Sequence, residues 1–256
     1  MGRANKGSKP STCGILVLDK RVGMSSMAAV AVVRGKAGGV KTGHAGTLDP
    51  LASGVLLLGL GRATKQLQRI MVAEKRYRTV IDLTAFTTTD DLEGERIEVK
   101  ITQPPNDGEI RSVLPRFVGT IMQRPPDYSA VKIAGRRAYA LSRRGENVRI
   151  APRPVTIHGI DLIRYDWPRL ELAVHCGRGT YIRSLARDIG TALRTGGHCL
   201  NLRRTAIGPF TEAMAQRLED LPEPLAQQHL IPLDAALAML DQRCGTSGAD
   251  PQADSG

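Results

Sequence analysis

At 256 residues the chain is long enough to bury a real core, as one large domain or as one domain with a small appendage. With 41% hydrophobic and 24% charged residues it has the composition of a soluble globular protein, and its longest apolar run, Gly54 to Leu60, is too short to span a bilayer. The formal net charge of +11 is unevenly placed: Arg111 to Arg204 carries 18 Lys and Arg against 6 Asp and Glu, which points to a polyanion-binding surface and leaves the remainder nearly neutral.

The first residues (MGRANKGSKPST) are basic with no apolar stretch behind them, so they read as a disordered tail and not as a signal peptide. Gly14 to Asp19 (GILVLD) reads as a buried strand. A turn at Gly23 follows, then a helix from Ser26 to Lys36 with Ser25 as its N-cap and Gly38-Gly39 as its end. Gly43, Gly46 and Pro50 predict a tight, irregular loop over Val40 to Leu51. A second buried strand covers Gly54 to Leu60, and a helix Ala63 to Ala73. Arg76 to Phe86 alternates, with Tyr77, Thr79, Ile81 and Leu83 on one face, the pattern of a half-buried strand. Pro104-Pro105 and Asn106-Asp107 introduce a helix to Phe117.

Pro125 to Val155 is bounded by prolines and crowded with Arg136, Arg137, Arg143, Arg144, Arg149 and Arg153; its middle, Arg136 to Arg144, has the makings of a short basic helix. Strands are expected at Val155 to Tyr165 and Leu170 to Cys176, and a helix from Thr180 to Arg194, closed by Gly196-Gly197. A strand over Cys199 to Ile207, a helix over Leu233 to Leu240 and a polar tail complete the chain. Strands and helices alternate irregularly and several strands are linked directly. The expected class is α+β, a mixed and largely antiparallel sheet with helices on its faces.

Arginines outnumber lysines 27 to 9, and guanidinium forks both pair with phosphates and stack on bases. A GC-rich genome would give the same bias, though not the clustering. Aromatics at 4% are too few for a stacking platform along a long single strand. Cys13, Cys176, Cys199 and Cys244 lie far apart with no C-x-x-C pair, which argues against a disulfide framework and a zinc module. On a strand, His175 and Cys176 would point to opposite faces, so no metal is expected there. The expected compartment is the cytoplasm.

One segment stands out chemically: GHAGTLDPLASGVL, from Gly43 to Leu56. Pro50 biases Asp49 toward an extended backbone and so fixes the direction of its carboxylate. The glycines remove bulk where a partner must approach. Taken alone, these residues also describe a plain turn, and most loop carboxylates are simply solvated. Gly59-Leu-Gly61 lacks GK[ST], so no phosphate loop supports an ordinary phosphotransferase.

In its order of residues this segment closely resembles the catalytic motif of the tRNA pseudouridine-55 synthase (TruB) family. LDKRVGMSS before it resembles the family's opening motif, and EKRYR around Tyr77 its tyrosine segment. PPDYSAVKIAGRRAYALSRRG is similar to the RNA-gripping insertion called the thumb, while GRGTYIRSLARDIG and LRRTAIGPF resemble the two late motifs. The blocks run in consistent order from Gly14 to Leu233.

The resemblance implies a pseudouridine synthase fold with a basic thumb-like insertion at about 124–153, in a catalytic domain over 13–241 between disordered tails at 1–12 and 242–256. Many bacterial members continue into a C-terminal PUA domain; with the sequence stopping soon after Leu240, none is expected here. The resemblance implies Asp49 as catalytic carboxylate, Tyr77 stacked on the target uracil, and Arg183 paired with Asp49, which would keep that carboxylate ionised. Tyr181 would line the pocket, Leu202 and Arg203 would wall it, and His44 would help push the base from its stack. Alone, Arg183 reads as a solvated helix arginine, Tyr181 as a packed tyrosine and His44 as a loop histidine. Asp91 is carried over from FTTTDDLEG, where Thr88 replaces a usual Asp; Arg21 and Ser25 replace the proline and threonine of the opening motif.

Lys20, Lys132, Arg136, Arg137 and Arg143 would contact RNA, though Lys20 and Lys132 read equally as solvated surface lysines. The implied reaction breaks the bond from C1′ to N1 and rebuilds it through C5, so no cofactor or metal is called for. The implied partner is the T-arm stem-loop of tRNA, bound by a monomer with no membrane attachment. The competing classes are an RNA-binding protein that has kept the fold without chemistry and a hydrolase or phosphotransferase with an aspartate nucleophile.

Overall fold

The computed structural model of the protein describes residues 12–127, 132–133, 136–137 and 150–244. In chain order these form β1 (Gly14–Lys20), α1 (Ser26–Lys36), β2 (Thr42–His44), β3 (Ala52–Leu60), α2 (Leu67–Met71), β4 (Lys75–Asp82), β5 (Ala85–Thr87) and β6 (Arg96–Glu98). There follow α3 (Asp107–Val113), β7 (Gly119–Gln123), β8 (Lys132–Ile133), β9 (Arg136–Arg137), β10 (Arg153–Asp166), β11 (Arg169–Cys176), α4 (Ile182–Leu193), β12 (His198–Ile207) and α5 (Leu233–Cys244). Among the described residues no helix is long and apolar enough to cross a membrane. The chain divides into two compact units, the first running to Ala73 and resuming at Thr205, the second spanning Glu74–Arg204.

In the first unit β1 and β3 run antiparallel, from Gly14 opposite Leu60 to Lys20 opposite Gly54, and β2 pairs with β3 so that His44 faces Leu58. Ile15 and Val17 of β1 with Val55 and Leu57 of β3 form a core with Ala63, Ile70, Phe210 and Ala236. The alternate residues Leu16, Leu18, Leu56 and Leu58 are fully buried too. Burial on both faces is why these strands read as continuous apolar runs instead of alternating. Helix α1 begins where expected: Ser25, in extended conformation, accepts the N–H of Ala28 and caps it. The helix expected at Ala63 to Ala73 is different. Gly61–Gln66 is a 3-10 helix, in which the Thr64 hydroxyl donates back to the Gly61 carbonyl (2.8 Å), and only Leu67–Met71 is α-helical.

In the second unit β4 runs antiparallel to β11, β11 to β10 and β10 to β7. The strand expected to reach Phe86 ends at Asp82, whose carboxylate accepts both the N–H and the hydroxyl of Thr84 and so makes a turn. Tyr77, Thr79, Ile81 and Leu83 do share one face of the segment. Helix α3 is capped by Asn106, which accepts the Glu109 N–H while the Glu109 side chain accepts the Asn106 N–H. Helix α4 is closed by Arg194 in left-handed conformation, not by Gly196-Gly197. Those two glycines do something else: their N–H groups donate to Leu83 and Ala85, and a Cβ on Gly196 would collide with the Ala85 main chain. Helix α5 continues to Cys244, past the expected Leu240 and past the expected domain end at 241. Arg136 and Arg137, expected in a helix, form β9 and pair with β8; residues 138–149, Arg143 among them, lie outside the described residues.

Candidate active site

Asp49 lies in the first unit with His44 and Lys20, and is half-buried. The loop holding it is more ordered than its glycines predict. Thr42–His44 is a strand, and the main chain around Asp49 is tied on both sides. The buried Ser26 hydroxyl donates to the Leu48 carbonyl (2.8 Å) and accepts the Leu48 N–H (2.8 Å). The Asp49 carbonyl accepts the N–H of Ala52 (3.0 Å), and the Pro50 carbonyl that of Gly23 (2.8 Å). Gly46, at φ 88°, supplies a left-handed turn that an L side chain would resist. The main chain on both sides of Asp49 is therefore fixed by bonds to the start of α1, to Gly23 and to Ala52.

Lys20 has a different place from the one expected of a phosphate contact. It is 1% exposed, and its ammonium donates to the carbonyls of Met24 (2.7 Å), Arg21 (2.9 Å) and Pro50 (3.5 Å). Three carbonyl dipoles solvate a charge withdrawn from water. Lys20 is thus a brace for the turn before α1 and for the residue after Asp49. Arg21, where the family has proline, lends only its carbonyl to this arrangement, and Ser25 supplies the capping hydroxyl that a threonine would.

The second unit holds Tyr77, Asp91, Tyr181, Arg183, Leu202 and Arg203. Its best-defined feature is Arg183. The side chain is 6% exposed and its Nη1 donates to Asp91 Oδ2 (2.8 Å) and to the Thr89 carbonyl (2.9 Å). Asp91, 2% exposed at its side chain, also accepts the Thr89 hydroxyl (2.5 Å) and the Glu93 N–H (2.9 Å) on Oδ1. Breaking such a buried pair is strongly destabilising because it strands a charge. Arg183 is no solvated helix arginine. Thr88, the departure from the family block, lends its hydroxyl to the Glu95 N–H (3.0 Å), a task that an aspartate oxygen performs equally.

One turn along α4, Arg187 donates to Asp90 (2.7 Å), to Asp188 (3.0 Å) and to the Arg124 carbonyl (2.9 Å). Asp90 sits at φ 61°, a conformation that Asp tolerates better than most residues. Burial pushes its carboxyl up to about 6, against the opposing pull of Arg187 and Arg183. The turn Thr89–Asp91 is therefore fastened to α4 by two arginines spaced i and i+4, side by side on the helix. Neither Asp90 nor Arg187 stood out in the sequence. The adjacent acidic pair and the R-x-x-x-R spacing were the available signals.

Tyr181, half-buried, is the N-cap residue of α4, with the Arg153 guanidinium carbon 5.2 Å from its ring centroid. Tyr77 is half-buried on β4, opposite Val174. Leu202 is buried and Arg203 half-buried on β12, where neighbours point to opposite faces. Lys75 beside Tyr77 is lowered to about 8 by burial, with repulsion from Arg204 and Arg178 adding to it. Burial raises the Cys176 thiol to about 11 and the Cys199 thiol to about 12, values of inert core cysteines. The side chains of Lys132, Arg136, Arg137 and Arg143 lie outside the described residues.

Comparison with known proteins agrees with these motifs. The model of the TruB family pseudouridylate synthase N-terminal domain matches residues 34–182, and that of the tRNA pseudouridylate synthase B C-terminal domain matches 183–238. The tRNA pseudouridine synthase B of Dinoroseobacter shibae is 46% identical over 255 residues, covering 97% of this chain and 83% of that protein. That of Rhodopseudomonas palustris is 48% identical over 209 residues, 81% of this chain and 57% of the relative. Among solved structures, a chain of a Cbf5-Nop10-Gar1 complex superposes with a TM-score of 0.69 at 30% identity, over 93% of this chain and 68% of that one. A chain of an H/ACA RNP bound to a substrate RNA containing 2'-deoxyuridine gives a TM-score of 0.67 at 27% identity, over 88% of this chain and 61% of that one. The α+β class with largely antiparallel strands is the pseudouridine synthase fold, and the chain belongs to the TruB family of pseudouridylate synthases.

Proposed function

We propose that the chain isomerises the T-arm loop uridine of tRNA to pseudouridine, with Asp49 as catalytic carboxylate and without a cofactor. The observation that carries this reading is the match to both family models, with Asp49 and Tyr77 inside the first, Arg183 inside the second, and all three in the motifs that resemble the family's. The relatives named as acting on tRNA supply the substrate class, and the RNA-bound H/ACA structure supports an RNA substrate.

The nucleotide enters the pocket flipped out of its stack, at an expense of a few kcal/mol that phosphate contacts offset. Lys132, Arg136, Arg137 and Arg143 are the proposed phosphate contacts. His44 helps displace the base, and Tyr77 stacks on it with Tyr181 and Leu202 nearby. The ionised Asp49 attacks as a nucleophile, at C1′ of the ribose or at C6 of the uracil. The bond from C1′ to N1 breaks, the uracil turns, C5 bonds to C1′, and the bond to Asp49 breaks to return the carboxylate. The C5 proton then leaves as N1 gains one, so atoms balance with nothing added. Arg183 pairs with Asp49 and orients it, a role that its own anchorage on Asp91 and Thr89 supports. The enzyme works as a monomer in the cytoplasm.

The test is positional. An unmodified tRNA transcript is incubated with the protein and pseudouridine is mapped by carbodiimide modification and primer extension. A single new stop at the T-arm loop uridine is expected. Modification elsewhere, or none while the tRNA stays bound, overturns the assignment.

A further inference from the structure

Gln123 ends β7 and is 1% exposed, yet it is polar and no motif called attention to it. Its carboxamide makes two bonds to a single residue. Nε2 donates to the Tyr181 carbonyl (3.1 Å), and Oε1 accepts the Tyr181 N–H (2.8 Å). A carboxamide presents donor and acceptor side by side, so it imitates the peptide of a neighbouring strand. The residue it grips matters. Tyr181 is the N-cap of α4, extended at φ −104° and ψ 112°, and its own side chain makes no capping bond. Its carbonyl also accepts the N–H of Leu185 (3.1 Å), so both lone pairs are engaged.

The neighbours of Gln123 act on the same stretch. Its cross-strand partner Arg153 donates to the Gly179 carbonyl (3.0 Å) and lies over the Tyr181 ring. The carbonyl of the next residue, Arg124, accepts from Arg187. The β7–β10 rung thus holds the chain before α4 and its second turn, on either side of Arg183.

We infer that Gln123 is a positioning residue: by holding both main-chain groups of Tyr181 it sets the direction of that ring and the start of the helix that aims Arg183. This rests on the reaction proposed above. Unlike a catalytic group, it acts only through its neighbours. Its loss should therefore slow the chemical step and spare binding.

The experiment compares wild type, Q123M and Q123E on tRNA tritiated at uracil C5, with tRNA binding measured by filter retention. For Q123M, roughly a hundredfold loss in kcat is expected, with KM and tRNA affinity changed by no more than about threefold. Q123E keeps the acceptor for the Tyr181 N–H and loses the donor, and should fall between. Amide exchange at Tyr181 should quicken in Q123M, and that at Leu185 in both variants. Equal kcat in wild type and Q123M, or a loss shared equally by affinity and rate, overturns the assignment alone. Unfolding of both variants also overturns it, because Gln123 would then be structural only. A wild type that releases no tritium sinks the proposed reaction and this inference together.

Discussion

In the first unit the main chain on either side of Asp49 is held by the Ser26 hydroxyl, by the Gly23 and Ala52 N–H groups and by the buried ammonium of Lys20. In the second unit Arg183 is held through its own charge, by a carboxylate that two further donors fix in turn. The first arrangement is a set of short-range bonds to backbone, each contributing on the order of 1 kcal/mol net. The second is a buried ion pair that fails as a whole when either partner goes. A loop built the first way can lose a bond and keep its course. The Arg183–Asp91 pair instead puts a buried charge at stake.

Replacing Asp91 should therefore do the most damage. Asp91→Leu leaves the Arg183 charge buried against an apolar side chain, and about 3–5 kcal/mol of stability should be lost in urea titration. Adding Arg183→Met should restore much of that stability while tritium release stays absent. If the double variant is as unstable as the single one, the pair is not the unit described. On the other side of the comparison, Lys20→Met should lower stability by about 1.5–3 kcal/mol, the range for hydrogen bonds from a charged donor. Its tRNA affinity and salt dependence should stay as in wild type. A fall of about 1 in the salt slope would instead mark Lys20 as a phosphate contact.

The smallest expected effect concerns Asp90. Its carboxyl lies at about 6 in the folded protein against an ordinary 3.8, so between those values the folded state holds a proton the unfolded chain has released. Stability from this group is present below about pH 4 and is lost as pH rises toward 6. Asp90→Asn cannot titrate. The wild-type melting temperature minus that of the variant should fall across that window and level off above it. A difference that rises from pH 4 to 6 would contradict the burial argument.

Much of the fold was legible because its signals are local. Ser25 before an apolar-periodic run starts α1, Asn106 with Glu109 starts α3, and the strands β1 and β3 announce themselves by apolar content. What escaped depends on partners far away in sequence. Lys20, expected at RNA or in solvent, donates instead to carbonyls that include that of Pro50, thirty residues on. Asp91 and Arg183 stand 92 positions apart, and Gln123 reaches 58 positions to Tyr181. The catalytic candidates themselves came from a resemblance in the order of residues, since a carboxylate between glycines is by itself an ordinary turn.

Asp49 is the side chain on which the reaction depends, and isotope release reports on it most directly. Wild type should liberate tritium from C5-labelled tRNA without added metal or nucleotide, and Asp49→Asn should liberate none while binding the same tRNA with nearly unchanged affinity. Release by the variant at a rate near that of wild type would contradict the account.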